Sequence, residues 1–259
     1  MVIGGTWSVL WWTSPDGLAV QAMKAWGALL VGAFLILALG RRRPAGQAAL
    51  WAAVAASIAF VPLLGRFGLD FRTLELATAR DMWDSYRAVL DGTAGLWSPA
   101  IRSRVMAMAD TVGGLAQLAP AGCFLGGALG LSFAWRWYHR IATGPIGAPL
   151  PPFEAFRFSD HLVWVLVAAL GAVLAQAGGF LLPGSGPANV LLVMGTLYLL
   201  RGLAVAWPVI RSIPFVERLA LTLILVLLAL FSLSALFGLG LADTWIDFRR
   251  RRAARAQGG

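Results

Sequence analysis

From residue 18 onward the chain alternates long apolar runs with short polar breaks, the pattern of helices that cross a bilayer. A hydrocarbon core takes roughly 20 residues of helix. Six runs qualify, over 18–39, 48–64, 108–135, 162–182, 190–209 and 216–242. The longest polar stretch, 65–105, has a different period. Leu76, Ala79, Trp83, Tyr86 and Leu90 recur every three or four residues, so they share one helical face, and Asp91-Gly92 gives a stop. This predicts an amphipathic helix that lies on the membrane surface or over the mouth of the bundle, or packs on its neighbours. The segment "TGPIGAPLPPF" is too rich in Pro and Gly for a regular helix. Ser159-Asp160 then reads as an N-cap for the fourth span. The short uncharged turn "LLPGSGPAN" makes the fourth and fifth spans antiparallel neighbours.

Composition fits this picture. Hydrophobic residues make up 59% and charged residues 13%, with mean hydropathy +0.76, too little charge to cover a water-soluble surface. The predicted fold class is all-α, a polytopic transmembrane bundle of about six spans plus one interfacial helix. It is read as a single membrane domain over 1–259. Two N-terminal spans (18–64), the polar loop (65–105), a four-span C-terminal bundle (106–246) and a basic tail (247–259) follow in order. The net charge is +9. The arginines sit at span ends, in loops and in the tail, and no nucleic-acid-binding motif accompanies them. The partner they imply is a bilayer with anionic headgroups, not nucleic acid. They divide too evenly between the two sides to fix orientation. The single cysteine, Cys123, can form no internal disulfide, and the N-terminal stretch lacks the basic start of a signal peptide.

Within lipid, helices associate through small residues. Gly114, Gly122, Gly126 and Gly130 form one row on the third span, and Gly171, Ala175 and Gly179 form another on the fourth. The two rows predict a tight contact between those spans. Pro120 predicts a kink in the third. Among polar residues Arg201 stands out, about midway along the fifth span. No carboxylate is central in any other predicted span. A carbonyl cluster or an anionic ligand would therefore serve as its counterpart, in a pocket with Gln176, Tyr198 and Trp207. No catalytic set, metal-ligand cluster, phosphate loop or dinucleotide fingerprint appears, so neither enzyme activity nor a cofactor or metal is expected.

The end of the last span, "GLGLADTWIDFRRRR", carries Asp243, Trp245, Asp247 and Arg249. Trp245 reads as an interfacial anchor, and the arginines complement the helix C-terminus. Two acids before the arginines are more than an anchor requires. Three stretches resemble, in order, the YybS-like family of predicted bacterial membrane proteins: "PLPPFEAFRFSDHLVWVL", "LLVMGTLYLLRGLAVAWPVI" and "LGLADTWIDFRRR". Arg201 stands where that family would carry glutamine. The resemblance implies a multi-pass protein of the bacterial inner membrane. It also implies a distant similarity to the substrate-binding components of energy-coupling-factor transporters and to MreD. Two roles follow. The favoured one is a non-catalytic scaffold or accessory subunit of a membrane assembly, with a membrane protein partner or a second copy of itself. The alternative is a small-molecule-binding component of a transporter.

Overall fold

A computed structural model describes residues 17–40, 45–93, 98–108, 114–182 and 184–246. The described residues are all-α, without strands. They divide into two compact units, Met1–Pro149 and Leu150–Gly259.

In the first unit, α1 (Leu18–Leu35) ends in a π-helical turn at Ile36–Gly40 and α2 spans Ala45–Arg66. The inner face of α2 is a stripe of small residues: Ala45, Ala48, Ala49, Ala52, Ala53 and Ala56 are all buried. Without long side chains between them, α2 packs closely on α1 and on α5 (Ala119–Ile141). Trp26 donates from Nε1 to Ser57 Oγ at 3.3 Å across this contact. The amphipathic helix is α3 (Phe71–Gly92), which packs on α1. Asp70 caps its start, accepting from the Thr73 N–H at 2.7 Å. Trp83 and Tyr86 stack on one another and are half-buried. A short helix, α4 (Pro99–Ala107), follows. The predicted third span begins late, at Ala119. Pro120 sits in the first turn of α5, where its missing N–H costs nothing, and so starts the helix instead of kinking it. Beyond α5 the linker folds back on it. Trp135 Nε1 donates to the Ala148 carbonyl at 3.0 Å, and the Ile146 N–H to Tyr138 Oη at 2.8 Å.

The second unit starts with an irregular strap, 150–161, containing a 3₁₀ turn at Phe153–Ala155. Then come α6 (Leu162–Ala177), α7 (Gly186–Ser212), α8 (Phe215–Leu227) and α9 (Ala229–Ile246). Helix α7 is the hub, touching α6, α9 and the 3₁₀ turn. The predicted sixth span is divided. The backbone departs from helix at Leu228 (φ −99°, ψ 36°), and Arg218 turns back to donate to the carbonyls of Arg211 and Ile213, ending α7.

Among the described residues four helices are long and apolar enough to cross a membrane: Leu18–Gly40, Ala45–Arg66, Gly186–Ser212 and Ala229–Ile246. Helix α6 is apolar but shorter, and α5 is diluted by glycine and by its Trp-Arg-Trp-Tyr-His-Arg end.

Candidate functional site

One face of α7 carries Met194, Leu197, Tyr198, Arg201, Gly202 and Val205, at helical spacing, and all are buried. Helix α9 crosses this face where Gly202 meets Gly240. A Cβ on Gly202 would overlap the Leu236 carbonyl oxygen, and one on Gly240 the Tyr198 carbonyl oxygen. Glycine is required at both positions because the two backbones touch. This crossing places Arg201, one residue before Gly202, beside Asp243, three residues after Gly240.

The Arg201 guanidinium is held on every nitrogen. Nε donates to Asp243 Oδ2 at 3.0 Å, Nη2 to the Asp243 carbonyl at 3.1 Å, and Nη1 to Asp160 Oδ1 at 2.7 Å. Asp243 lies in the last turn of α9, so its carbonyl is one of the groups a helix end leaves without an internal donor. Arg201 thus caps α9 and neutralises its carboxylate together. Phe158, from the strap, lies against the guanidinium at 5.3 Å and edge-on to Tyr198 at 5.1 Å. Phe237 closes the other side of the Tyr198 ring at 6.0 Å.

The two carboxylates are unequal. The side chains of Arg201 and Asp243 are 0% exposed, while that of Asp160 is 52% exposed. One guanidinium is thus shared between a carboxylate sealed from water and one that reaches it. The hydroxyls of Tyr198 and Thr244 are buried beside this cluster without a hydrogen-bond partner among the described residues.

The expectation that Arg201 lacks an acidic partner is therefore overturned. Its partner was visible as the first acid of the C-terminal stretch, but Asp243 read as a marker of the helix exit. It lies beside Arg201 because α9 crosses α7 at Gly202 and Gly240. Asp160 meets Arg201 with 15 of the 27 residues of α7 already behind it, and the rest of α7 is flanked by the strap instead. Asp160 also differs from expectation: His161 is the N-cap residue of α6, no side chain caps the helix, and the Asp160 carboxylate goes to Arg201.

Of the predicted pocket, only Tyr198 joins Arg201. Gln176 lies at the far end of α6, donating to the carbonyls of Leu182 and Gly184 and so closing the turn into α7. Trp207 is nearly two turns past Arg201 and meets Phe153 edge-on at 6.1 Å. The predicted glycine rows do not pack in their own units. A Cβ on Gly114, Gly122, Gly126, Gly130, Gly171 or Gly179 meets no atom within 4 Å. Gly179 instead has φ +75°, in the turn that ends α6, and Ala175 contributes its carbonyl to that turn. The glycine of α5 that does work in packing is Gly127, where a Cβ would stand 2.6 Å from Leu30 and 2.7 Å from Trp26. Trp245 is exposed at the end of α9. Asp247 and Arg249 lie outside the described residues. Among the described residues no group of three or more His, Cys, Asp or Glu could hold a metal ion.

Each of the three stretches that carry the resemblance supplies one charge to this junction: Asp160, Arg201 and Asp243. Residues 143–244, which include all three, match a family described as a predicted membrane protein (DUF2232). No curated protein and no solved structure matches the chain. With four long apolar helices and this match, the chain is a multi-pass membrane protein similar, over residues 143–244, to that membrane-protein family.

Proposed function

We propose that the protein is a non-catalytic scaffold or accessory subunit of an assembly in a bacterial inner membrane. The carrying observation is that the buried charges of the second unit are spent on one another. Arg201 is bonded on each nitrogen by Asp243 and Asp160, so its guanidinium ties α7 to α9 and to the strap and faces no open pocket among the described residues. What the second unit offers instead is surface. Helix α8 has 13 residues, too few for a span of roughly 20, and buries none of them. Leu219, Leu223, Val226 and Leu227 are all more than half exposed. A short apolar helix that packs little on its own unit suits a subunit that binds a neighbouring membrane protein.

The test is a photo-reactive residue at Leu223 in native membranes, followed by purification in nanodiscs and mass spectrometry of adducts. A defined protein adduct, absent when the residue is moved to the buried Val205, is the expected result. A stable monomer giving only lipid adducts would end this reading.

A further inference from the structure

The strap and the hydroxyls beneath it have a use that fastening alone does not explain. Four side chains attach the strap to α7: Phe153 on Trp207, Glu154 near Arg211 at 3.9 Å, Phe158 against Tyr198 and Arg201, and Asp160 on Arg201. It has no regular helix beyond one 3₁₀ turn, so lifting it breaks little backbone structure. Two of its attachments, Glu154–Arg211 and Asp160, are partly exposed and correspondingly weak. Under it lie the Arg201 guanidinium, already bonded to Asp243, and two hydroxyls that can donate. Arg201 is fixed from behind by Asp243 Oδ2 and the Asp243 carbonyl and directs Nη1 towards the strap. Tyr198, 0% exposed, and Thr244 hold buried hydroxyls that lie close to one another and make no hydrogen bond of good geometry among the described residues. A guanidinium edge with two hydroxyls is a donor set for an oxyanion, and phosphate is the oxyanion that arginine binds best.

We propose that the 150–161 strap is a lid over an oxyanion site made of Arg201 Nη1 and the hydroxyls of Tyr198 and Thr244, that the Asp160 carboxylate is its built-in occupant, and that a phosphate group takes that place when the strap lifts. The phosphate is that of a lipid headgroup or of a soluble phosphate; the chemistry is shared. Asp243 stays bound throughout, so the α7–α9 crossing survives opening. This site stands independently of the assembly reading.

The experiment uses the full chain in maltoside micelles, which carry no phosphate. Asp160→Ala empties the built-in position. Its thermal midpoint should rise on adding inorganic phosphate or short-chain phosphatidylglycerol, and rise much less in Asp160→Ala/Thr244→Val. A gain with the lipid alone assigns the headgroup, and a gain with inorganic phosphate alone assigns a soluble ligand. No gain with either, or a gain untouched by Thr244→Val, overturns the proposal. Should Asp160→Ala not fold, hydrogen exchange of the wild-type chain decides. Peptides covering 153–161 should exchange severalfold faster with one of the two additions, and unchanged or slower exchange with both overturns it.

Discussion

Removing the Asp243 carboxylate is the sharpest perturbation of this protein. Asp243→Ala leaves Arg201 charged, at 0% exposure, with its Nε partner gone and only the Asp160 bond and one carbonyl remaining. Breaking a buried ion pair from one side costs about 3–5 kcal/mol, chiefly because the remaining charge has lost its solvation twice over. Asp160→Ala removes the shorter contact, 2.7 Å against 3.0 Å, yet from a carboxylate that is half in water. Screening limits that loss to about 1 kcal/mol. Burial, not distance, thus sets the order of the two effects. Replacing both members, Arg201→Met with Asp243→Leu, removes the charge along with its partner and should recover most of the loss. The assay is unfolding of the purified chain by SDS titration from mixed micelles, across wild type, Asp243→Ala, Asp160→Ala, and the cycle of Arg201→Met, Asp243→Leu and their double. Coupling of at least about 2 kcal/mol between positions 201 and 243 is expected, well above the general limit for additive sites. If Asp160→Ala proves as costly as Asp243→Ala, or the double variant is the sum of its singles, the claim that this junction is held by a buried pair is wrong.

Gly202→Ala and Gly240→Ala each drive a Cβ into a backbone carbonyl, and each should destabilise the second unit by about 1–3 kcal/mol, while Gly126→Ala, facing open space in its unit, should change little in the same titration. Trp135→Phe removes the donor to Ala148 together with part of a buried indole; a loss of at least about 1 kcal/mol is expected, with the fastest gain in amide exchange in the 142–148 segment. The Asp70 carboxyl is held below its ordinary 3.8 by hydrogen bonds from the Thr73 side chain and N–H. Its contribution to the start of α3 is therefore fully present above that value and is lost only as pH falls through the lower, folded-state value. The difference in helicity between wild type and Asp70→Ala should be flat from neutral to mildly acid pH and vanish in strong acid. A difference that vanished near neutrality would contradict the cap.

The helices were legible because apolar length and period report directly on lipid burial: α1, α2, α6 and α7 lie on runs that hydropathy alone delimits, and the period of Leu76, Ala79, Trp83, Tyr86 and Leu90 located α3. The contacts between helices were not. Glycine every fourth residue marks a face that can approach a neighbour, not one that does, so the rows on α5 and α6 looked as promising as Gly202 and Gly240, which stand out only once α9 is placed. The alanine stripe of α2 was equally readable by spacing but had no glycine to draw notice. At the site, Arg201 was conspicuous because charge in an apolar run is costly. Its partners were hidden by their positions, since carboxylates near span ends have cheap explanations as caps and exits. One signal was available. The midpoint between Asp160 and Arg201 falls between Phe180 and Leu181, within the turn between α6 and α7, so an antiparallel pair brings them level. The role of Asp243 needed the α9 crossing, which no local pattern reveals.

The junction also dictates an order of manufacture. A ribosome delivers Asp160 first, Arg201 41 residues later and Asp243 42 residues after that. At about 5–20 residues per second, α7 spends roughly 2–8 s in or near the insertion machinery without its buried counter-ion. A central arginine opposes entry into the bilayer by about 2.5–3.5 kcal/mol on the translocon scale. During that interval Asp160 is the nearest compensating charge already made. It would act as a nursery partner, holding Arg201 until α9 emerges. A released chain truncated after Ser212 is the place to look: there Asp160→Ala should cut insertion of α7 sharply, whereas in the complete chain it should not. Equal insertion of the truncated chain with and without Asp160 would rule this sequence of events out.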